Sequence, residues 1–152
     1  MKKQILVFII SALITANTNY SYNPEHLRAF LINDPHDYFE KWRKRNPRII
    51  PDLSYAVLKR GVFNGDLSDV NFNYAQISDY YIGETNFIRT NFSNSILKKL
   101  TCPGRGDTKR IFFKANFVKS HLIENVFFKT NFINVSFEKA KIQKTNFSYS
   151  TF

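Results

Sequence analysis

The chain of 152 residues is short of the residue types that usually reveal a chemistry or a covalent framework. Its one cysteine, Cys102, excludes an intramolecular disulfide and any cysteine-based metal site, and no cysteine near the N-terminus could carry a lipid. Five glycines and five prolines are too few for a low-complexity or disordered chain. Acidic residues are outnumbered 12 to 22 by Lys and Arg, which excludes an acidic surface that imitates DNA. No apolar run is long enough to span a membrane: the longest, Ile5 to Ala16, has about 12 residues where about 20 are needed. The three histidines, His26, His36 and His121, are scattered and lack ligand partners at helix or strand spacing. Nothing resembles a nucleophile elbow or a phosphate loop. The sequence therefore reads as non-enzymatic, with no catalytic, cofactor or metal residue to name.

Residues 1–22, "MKKQILVFIISALITANTNYSY", begin with Lys2 and Lys3, pass through the apolar run and end in small and polar residues. That is the layout of a secretory signal peptide, so the protein is expected to be exported, to the periplasm or beyond. Without the two leader lysines the formal charge falls from +10 to +8. The remainder is uneven: residues 98–152 hold eleven basic and three acidic groups, whereas residues 61–97 hold one and four.

Aromatics are abundant, with sixteen Phe and eight Tyr. They recur with a period of five. From Leu67 the apolar centres are Phe72, Ile77, Ile82, Phe87, Phe92 and Leu97, resuming at Phe112 and running through Phe117, Leu122, Phe127, Phe132, Phe137, Ile142 and Phe147 to Phe152. Leu53, Leu58 and Phe63 have the same spacing one residue out of step. Two positions before most centres stands a small residue, such as Ala56, Gly61, Ala75, Thr85, Ser95, Ala115 or Thr130. Among 21 slots from Leu53 to Phe152 only Cys102 and Asp107 are not Leu, Ile or Phe, which rules out chance. Neither the 3.6 period of a helix nor the 2.0 of a strand fits. A five-residue unit requires a corner in each unit, and four corners close a square coil of about 20 residues that stacks on the next by β-type bonds at ~4.8 Å. The centre and the small residue point inward, and the other positions meet solvent.

The triplets "VNF", "TNF", "TNF", "ANF", "TNF" and "TNF", ending at Phe72, Phe87, Phe92, Phe117, Phe132 and Phe147, resemble the pentapeptide-repeat family with its A(D/N)LXX consensus. The resemblance implies an all-β solenoid, a right-handed quadrilateral β-helix, in a protein of bacterial type. The stretch "YFEKWRKRNPRIIPDLSYAVL" is similar to a lead-in of that family in which a helix precedes "PDLSGANL", with Tyr55 in place of the glycine.

The domain reading is a leader at 1–22, a helical N-terminal cap at 23–50, and a β-helix at 51–152 interrupted by a loop at about 98–111. Pro103, Gly104 and Gly106 are loop residues, and continuous coil would turn Arg105 and Arg110 inward. An unbroken 20-residue register would stack Phe72, Phe92, Phe112, Phe132 and Phe152 in one column and Ile82, Cys102, Leu122 and Ile142 in another. Two short helices, "NPEHLRAFLIN" and "DPHDYFEKWRKRN", are expected to close the N-terminal end, the second with Asp34 as N-cap and Pro35 at its first position. Tyr38, Phe39 and Trp42 share its apolar face; a recognition helix using Trp42 and Arg43 is the alternative. The C-terminal coil has no such cover, and a homodimer through it is expected.

The expected function is that of an exported, non-catalytic scaffold for protein–protein interaction. The alternative is binding of an anionic surface, a lipid headgroup or a glycan, by a basic face of the C-terminal coils. The 20-residue register would continue from Asp79 into a ladder of Lys99, Lys119 and Lys139, with Glu124 beside Lys144 as a compensating pair. Lys99, Arg105, Lys119, Lys139 and Lys141 are therefore the candidate binding residues. "RGD" at Arg105–Asp107 matches an integrin-read tripeptide and reads more simply as a polar loop. Nucleic acid is not expected as a partner, because the aromatics are needed in the core.

Overall fold

The computed structural model describes residues 23–31, 38–102 and 110–152 of the chain. The leader, the Asp34–Pro35 cap, His36 and the "RGD" tripeptide lie outside the described residues. Two helices, α1 (Pro24–Leu31) and α2 (Tyr38–Arg45), precede a stack of parallel strands. Long strands β1 (Val57–Asp66) and β2 (Gln76–Asn86) bend through two faces each. Shorter ones follow as β3 (Ile96–Lys98), β4 (Thr101–Cys102), β5 (Arg110–Phe113), β6 (His121–Ile123), β7 (Val126–Phe127), β8 (Thr130–Ile133) and β9 (Lys141–Gln143). Every pairing is parallel, as expected when each coil lies on the one before. The architecture is a four-faced parallel β-solenoid with a helical N-terminal cap.

The pairings define four inward columns, each five residues deep. The first is Leu53, Phe72, Phe92, Phe117 and Phe137. The second is Leu58, Ile77, Leu97, Leu122 and Ile142. The third is Phe63, Ile82, Cys102, Phe127 and Phe147. The last is Leu67, Phe87, Phe112, Phe132 and Phe152. The phase slip between Phe63 and Leu67 is taken up by a register shift between Phe63 and Gly65.

The unbroken register is corrected here. Ile77 pairs with Leu97, twenty residues on, but Leu97 pairs with Leu122, twenty-five on, after which Leu122 returns to twenty with Ile142. Phe112 therefore stacks on Phe87 at 4.5 Å and Phe132 at 4.9 Å, and Phe92 lies on Phe117 at 4.9 Å. Cys102 sits above Phe127 and not above Leu122. The physical reason lies in the slot at Asp107. A continuous 20-residue register would require that slot as a centre in the shaft, where an unpaired carboxylate is costly. The interruption is also narrower than 98–111, because Lys98, Thr101–Cys102 and Arg110–Ile111 are in paired strands and Leu100 is buried.

Phenylalanine fills the shaft. Rings at Phe72 and Phe92 lie 5.2 Å apart at 5°, and those at Phe117 and Phe137 5.0 Å apart at 17°. Offset stacking of this kind adds to the area term for each ring. The cap continues the same packing. Phe30 of α1 meets Phe63 and Phe72 of the first coils, while Phe39 is buried and stacks with Trp42. Asn23 caps α1 by accepting from the backbone N–H of Glu25, and His26 Nδ1 accepts from the N–H of Asp52 at 2.8 Å. Arg43 donates to the carbonyl of Ser68, so α2 is tied to the solenoid by its basic side as well as its apolar one.

Candidate functional site

Each outward surface is organised by the corner that follows a centre. Among the described residues sixteen that are not glycine have φ between 50° and 62°, and they stand two positions after centres: Tyr55 after Leu53, Arg60 after Leu58, Lys119 after Phe117. Where the next N–H bonds back to the centre carbonyl, as from Ala75 to Phe72 or Ser120 to Phe117, the turn has the positive φ that a type II turn demands at its third residue. Such a conformation costs an L-residue on the order of 1–2 kcal/mol. None of the sixteen is β-branched, the class that tolerates it least. Tyr55, which replaces the expected glycine, adopts φ 61° and stacks on Tyr74 at 4.9 Å and 5°.

These corners form four outward columns, and they decide where the charge goes. One corner carries Arg60, Asp79, Lys99, Glu124 and Lys144 in succession, alternating in sign at every rung. Another carries Tyr55, Tyr74, Asn94, Lys119 and Lys139. A third starts with Asp69 and Arg89, joined by two hydrogen bonds of 2.6 Å that hold the guanidinium charged, and continues to Lys114. Lys129 follows the centre Phe127 on the fourth. The three-lysine ladder is thus corrected. The five-residue offset places Lys99 between Asp79 and Glu124, and only Lys119 and Lys139 are stacked neighbours. Glu124 does stand over Lys144. Lys141 lies on the outward row of β9 opposite His121, and Arg105 is outside the described residues. The positive charge of the C-terminal half is spread over four corners rather than gathered on one face.

The residue before each centre has a role that its polarity alone did not disclose. Asn71 donates to Asp52 Oδ1 at 3.0 Å, and Asn91 to Asn71 Oδ1 at 3.1 Å, making a ladder along one face. The side-chain oxygens of Asn71, Asn91 and Asn116 accept from the backbone N–H two residues on, at Asn73, Ser93 and Val118. Thr85 and Thr90, at inward small positions, donate to the carbonyls of Phe63 and Leu67 one coil back. A five-residue period, four faces, paired inward positions and an Asx-stabilised corner are now all present.

This is the pentapeptide-repeat fold. Similar solved structures include QnrB1, a plasmid-mediated fluoroquinolone resistance protein, at 16% identity and a TM-score of 0.38 over 64% of this chain and 58% of that one. A pentapeptide repeat protein, Rfr23, from the cyanobacterium Cyanothece 51142 matches at 15% identity and a TM-score of 0.25, over 59% of this chain and 79% of that one. HetL from Nostoc sp. strain PCC 7120, involved in heterocyst differentiation regulation, matches at 18% identity and a TM-score of 0.33 over 67% of this chain and 45% of that one. This chain therefore spans less than two thirds of the length of QnrB1 and HetL. No family model matches the sequence, and no curated protein is significantly similar to it.

Departures from the repeat pattern are concentrated at the inward small positions. Tyr80, Leu100, Arg110 and Asn125 stand where Ala, Ser or Thr is usual, and all four are buried. Tyr80 lies against Gly61, where an added Cβ would come within 2.4 Å of the ring, and burial pushes its hydroxyl up to about 12. Arg110 is accommodated inward because its Nε donates to the carbonyls of Ile82 and Gly83. Burial likewise pushes the Cys102 thiol up to about 12, with a Thr130 hydrogen bond and the charge of Arg110 opposing. A thiol so placed is a packing residue and not a nucleophile. Among the described residues no group of three or more His, Cys, Asp or Glu side chains is placed to hold a metal, and no helix is long and apolar enough to cross a membrane.

Proposed function

We propose that the protein is an exported, non-catalytic pentapeptide-repeat scaffold whose solenoid surface binds another protein. The observation that carries this reading is the construction of the surface itself. Outward side chains are held in fixed columns by corners of defined φ and by a shaft of stacked Phe rings, so the faces are preorganised and ordering them on binding costs little. Export rests on the leader at 1–22. Cell fractionation with N-terminal sequencing of the mature protein tests it, and an intact Met1 in the cytoplasm refutes it. Affinity capture from an envelope extract under stepwise salt tests the scaffold. One protein retained at high salt supports it, and loss of every partner on raising the salt refutes it.

A second copy of the chain is the partner proposed for the last coil. Ile142 and Phe152 are 46% and 74% exposed, whereas Leu122 and Phe132 above them are 0% and 2%. Sedimentation over a range of concentrations tests this, and a monomer throughout refutes it. The alternative ligand, an anionic lipid or glycan surface at the C-terminal lysines, is favoured by Lys119 standing directly over Lys139 with Lys141 near by. Neutralising those three side chains is expected to abolish binding to phosphatidylserine vesicles if that reading holds.

A further inference from the structure

A cluster of positive charge lies on the first three coils, apart from Lys119, Lys139 and Lys141 and sharing Lys99 with the candidates above. Lys59, Ser78 and Lys98 are successive rungs of one outward row, and Arg60, Asp79 and Lys99 form the corner row beside them. Together the six line an open groove of about 440 Å³. Four cations thus surround a single carboxylate, and among the described residues none of the four has a carboxylate within the 4.0 Å of an ion pair. Flanking outward residues in the same coils are neutral: Val57, Gln76 and Ile96 on one side, Val62, Tyr81 and Thr101 on the other.

Geometry separates the two rows. The corner row alternates in sign and largely satisfies itself. The inner row does not, because Ser78 interrupts Lys59 and Lys98 with a short hydroxyl and leaves a notch between two lysines whose backbones are two rungs of ~4.8 Å apart. We infer that the Lys59–Ser78–Lys98 row, with Arg60 and Lys99 at its edge, is a binding groove for a linear polysaccharide bearing sulfate or phosphate esters, which lies along the solenoid axis. Like charges at rung spacing are unfavourable until an oxyanion lies between them, and the groove offers ammonium, guanidinium and hydroxyl donors suited to an ester oxyanion. No aromatic ring lines it on which a base could stack, which disfavours nucleic acid. A flat anionic bilayer would meet the corner carboxylates of Asp79 and Glu124 together with the lysines, whereas a narrow chain follows the inner row past them. This inference is independent of the scaffold reading and uses none of Lys119, Lys139 or Lys141.

A heparin oligosaccharide titrated into the full-length chain tests it. The double variant Lys59→Gln/Lys98→Gln is expected to bind about tenfold more weakly, with the slope of log affinity against log salt reduced by roughly two. The variant Lys114→Gln/Lys129→Gln, equal in net charge and on two other corners, is expected to bind as the parent does. Asp79→Asn is expected to tighten binding, while Glu138→Gln, an equal change of charge elsewhere, leaves it unaltered. Equal losses in the two lysine doubles would mean that net charge and not a groove is responsible, and would overturn the inference. So would the absence of heparin binding in the parent, or binding of phosphatidylserine vesicles that depends on Lys59 and Lys98 while heparin does not bind.

Discussion

Replacing Asn125 with Ala is expected to be among the most damaging single substitutions in the solenoid, although it removes no ring. Asn125 is fully buried at an inward position that the repeat gives to Ala, Ser or Thr. Its Nδ2 donates to the carbonyl of Leu97 at 2.9 Å, and its Oδ1 accepts from the N–H of Leu100 at 2.8 Å. Both partners belong to the preceding coil, so one side chain satisfies a donor and an acceptor across the rung. Alanine leaves both buried groups unpaired, at about 1–3 kcal/mol each, giving a loss of roughly 2–6 kcal/mol. Thr145, directly below in the same column, donates its hydroxyl to the carbonyl of Leu122. That hydroxyl also accepts from the N–H of Asn125 at 3.4 Å, so Asn125→Thr should keep both bonds at greater length and fall between the parent and Asn125→Ala. Urea denaturation followed by far-ultraviolet circular dichroism measures all three. A loss below about 1 kcal/mol for Asn125→Ala, or a threonine variant less stable than the alanine one, would refute the assignment of those bonds.

Three further outcomes are expected. Gly61→Ala places a Cβ 2.4 Å from the Tyr80 ring and should cost about 1–3 kcal/mol by overpacking. Adding Tyr80→Thr should recover part of that loss, and strict additivity in the double-mutant cycle would refute the contact. Thiol reagents should label Cys102 at neutral pH only as fast as the protein unfolds, since its thiol is held at about 12, and rapid labelling of the native protein would refute its burial. The Tyr80 hydroxyl, raised from 10.0 to about 12, favours the folded state while it is protonated. Its contribution is full below pH 10 and is lost as the pH rises towards 12, by roughly 2–3 kcal/mol, so Tyr80→Phe should lose less stability than the parent over that window.

The period was legible because an inward residue in this fold has little freedom. A centre must be large and apolar or the shaft is left with a cavity, so Leu, Ile and Phe recur whatever the surface does. The apolar face of Phe39 and Trp42 was legible as a helix signal for the same reason: local geometry restricts the choice. The register was not legible across Cys102, because a loop that replaces one unit leaves the period of five intact on both sides. Only the stacking of particular rings, Phe87 on Phe112 and Phe92 on Phe117, reveals the missing unit. The three-lysine ladder failed with it, since a side chain's neighbours across coils depend wholly on register. The corners left a fainter signal that could have been found: a residue two places after each centre that is never Val, Ile or Thr. Asn125 and Arg110 left none, because their bonds run to backbone groups 25 to 28 residues away.

The alternating corner of Arg60, Asp79, Lys99, Glu124 and Lys144 turns that failure into a test. At a rung spacing of ~4.8 Å each residue is closest to the one above and the one below, so every neighbouring pair in this column attracts. Glu124→Lys would exchange two attractive pairs, with Lys99 and Lys144, for two repulsive ones. At 0.2–1 kcal/mol for an exposed pair the expected loss is about 1–2 kcal/mol at low salt, and it should largely vanish in 1 M salt, where the screening length is about 3 Å. Lys119→Glu gains one attractive neighbour, Lys139, because Asn94 stands on its other side. A 20-residue register would instead place Lys119 between Lys99 and Lys139 and roughly double that gain. The two registers thus predict different salt-dependent stabilities for the same substitution. Two double-mutant cycles decide the matter: coupling of position 119 to Lys139 alone supports the 25-residue third coil, and equal coupling to Lys99 and Lys139 refutes it. A corner column that alternates in sign also selects register in its own right. Sliding the later coils by one unit would break the alternation at the rung after Lys99, so these exposed charges help to specify which coil lies on which, even though each pair contributes little to stability.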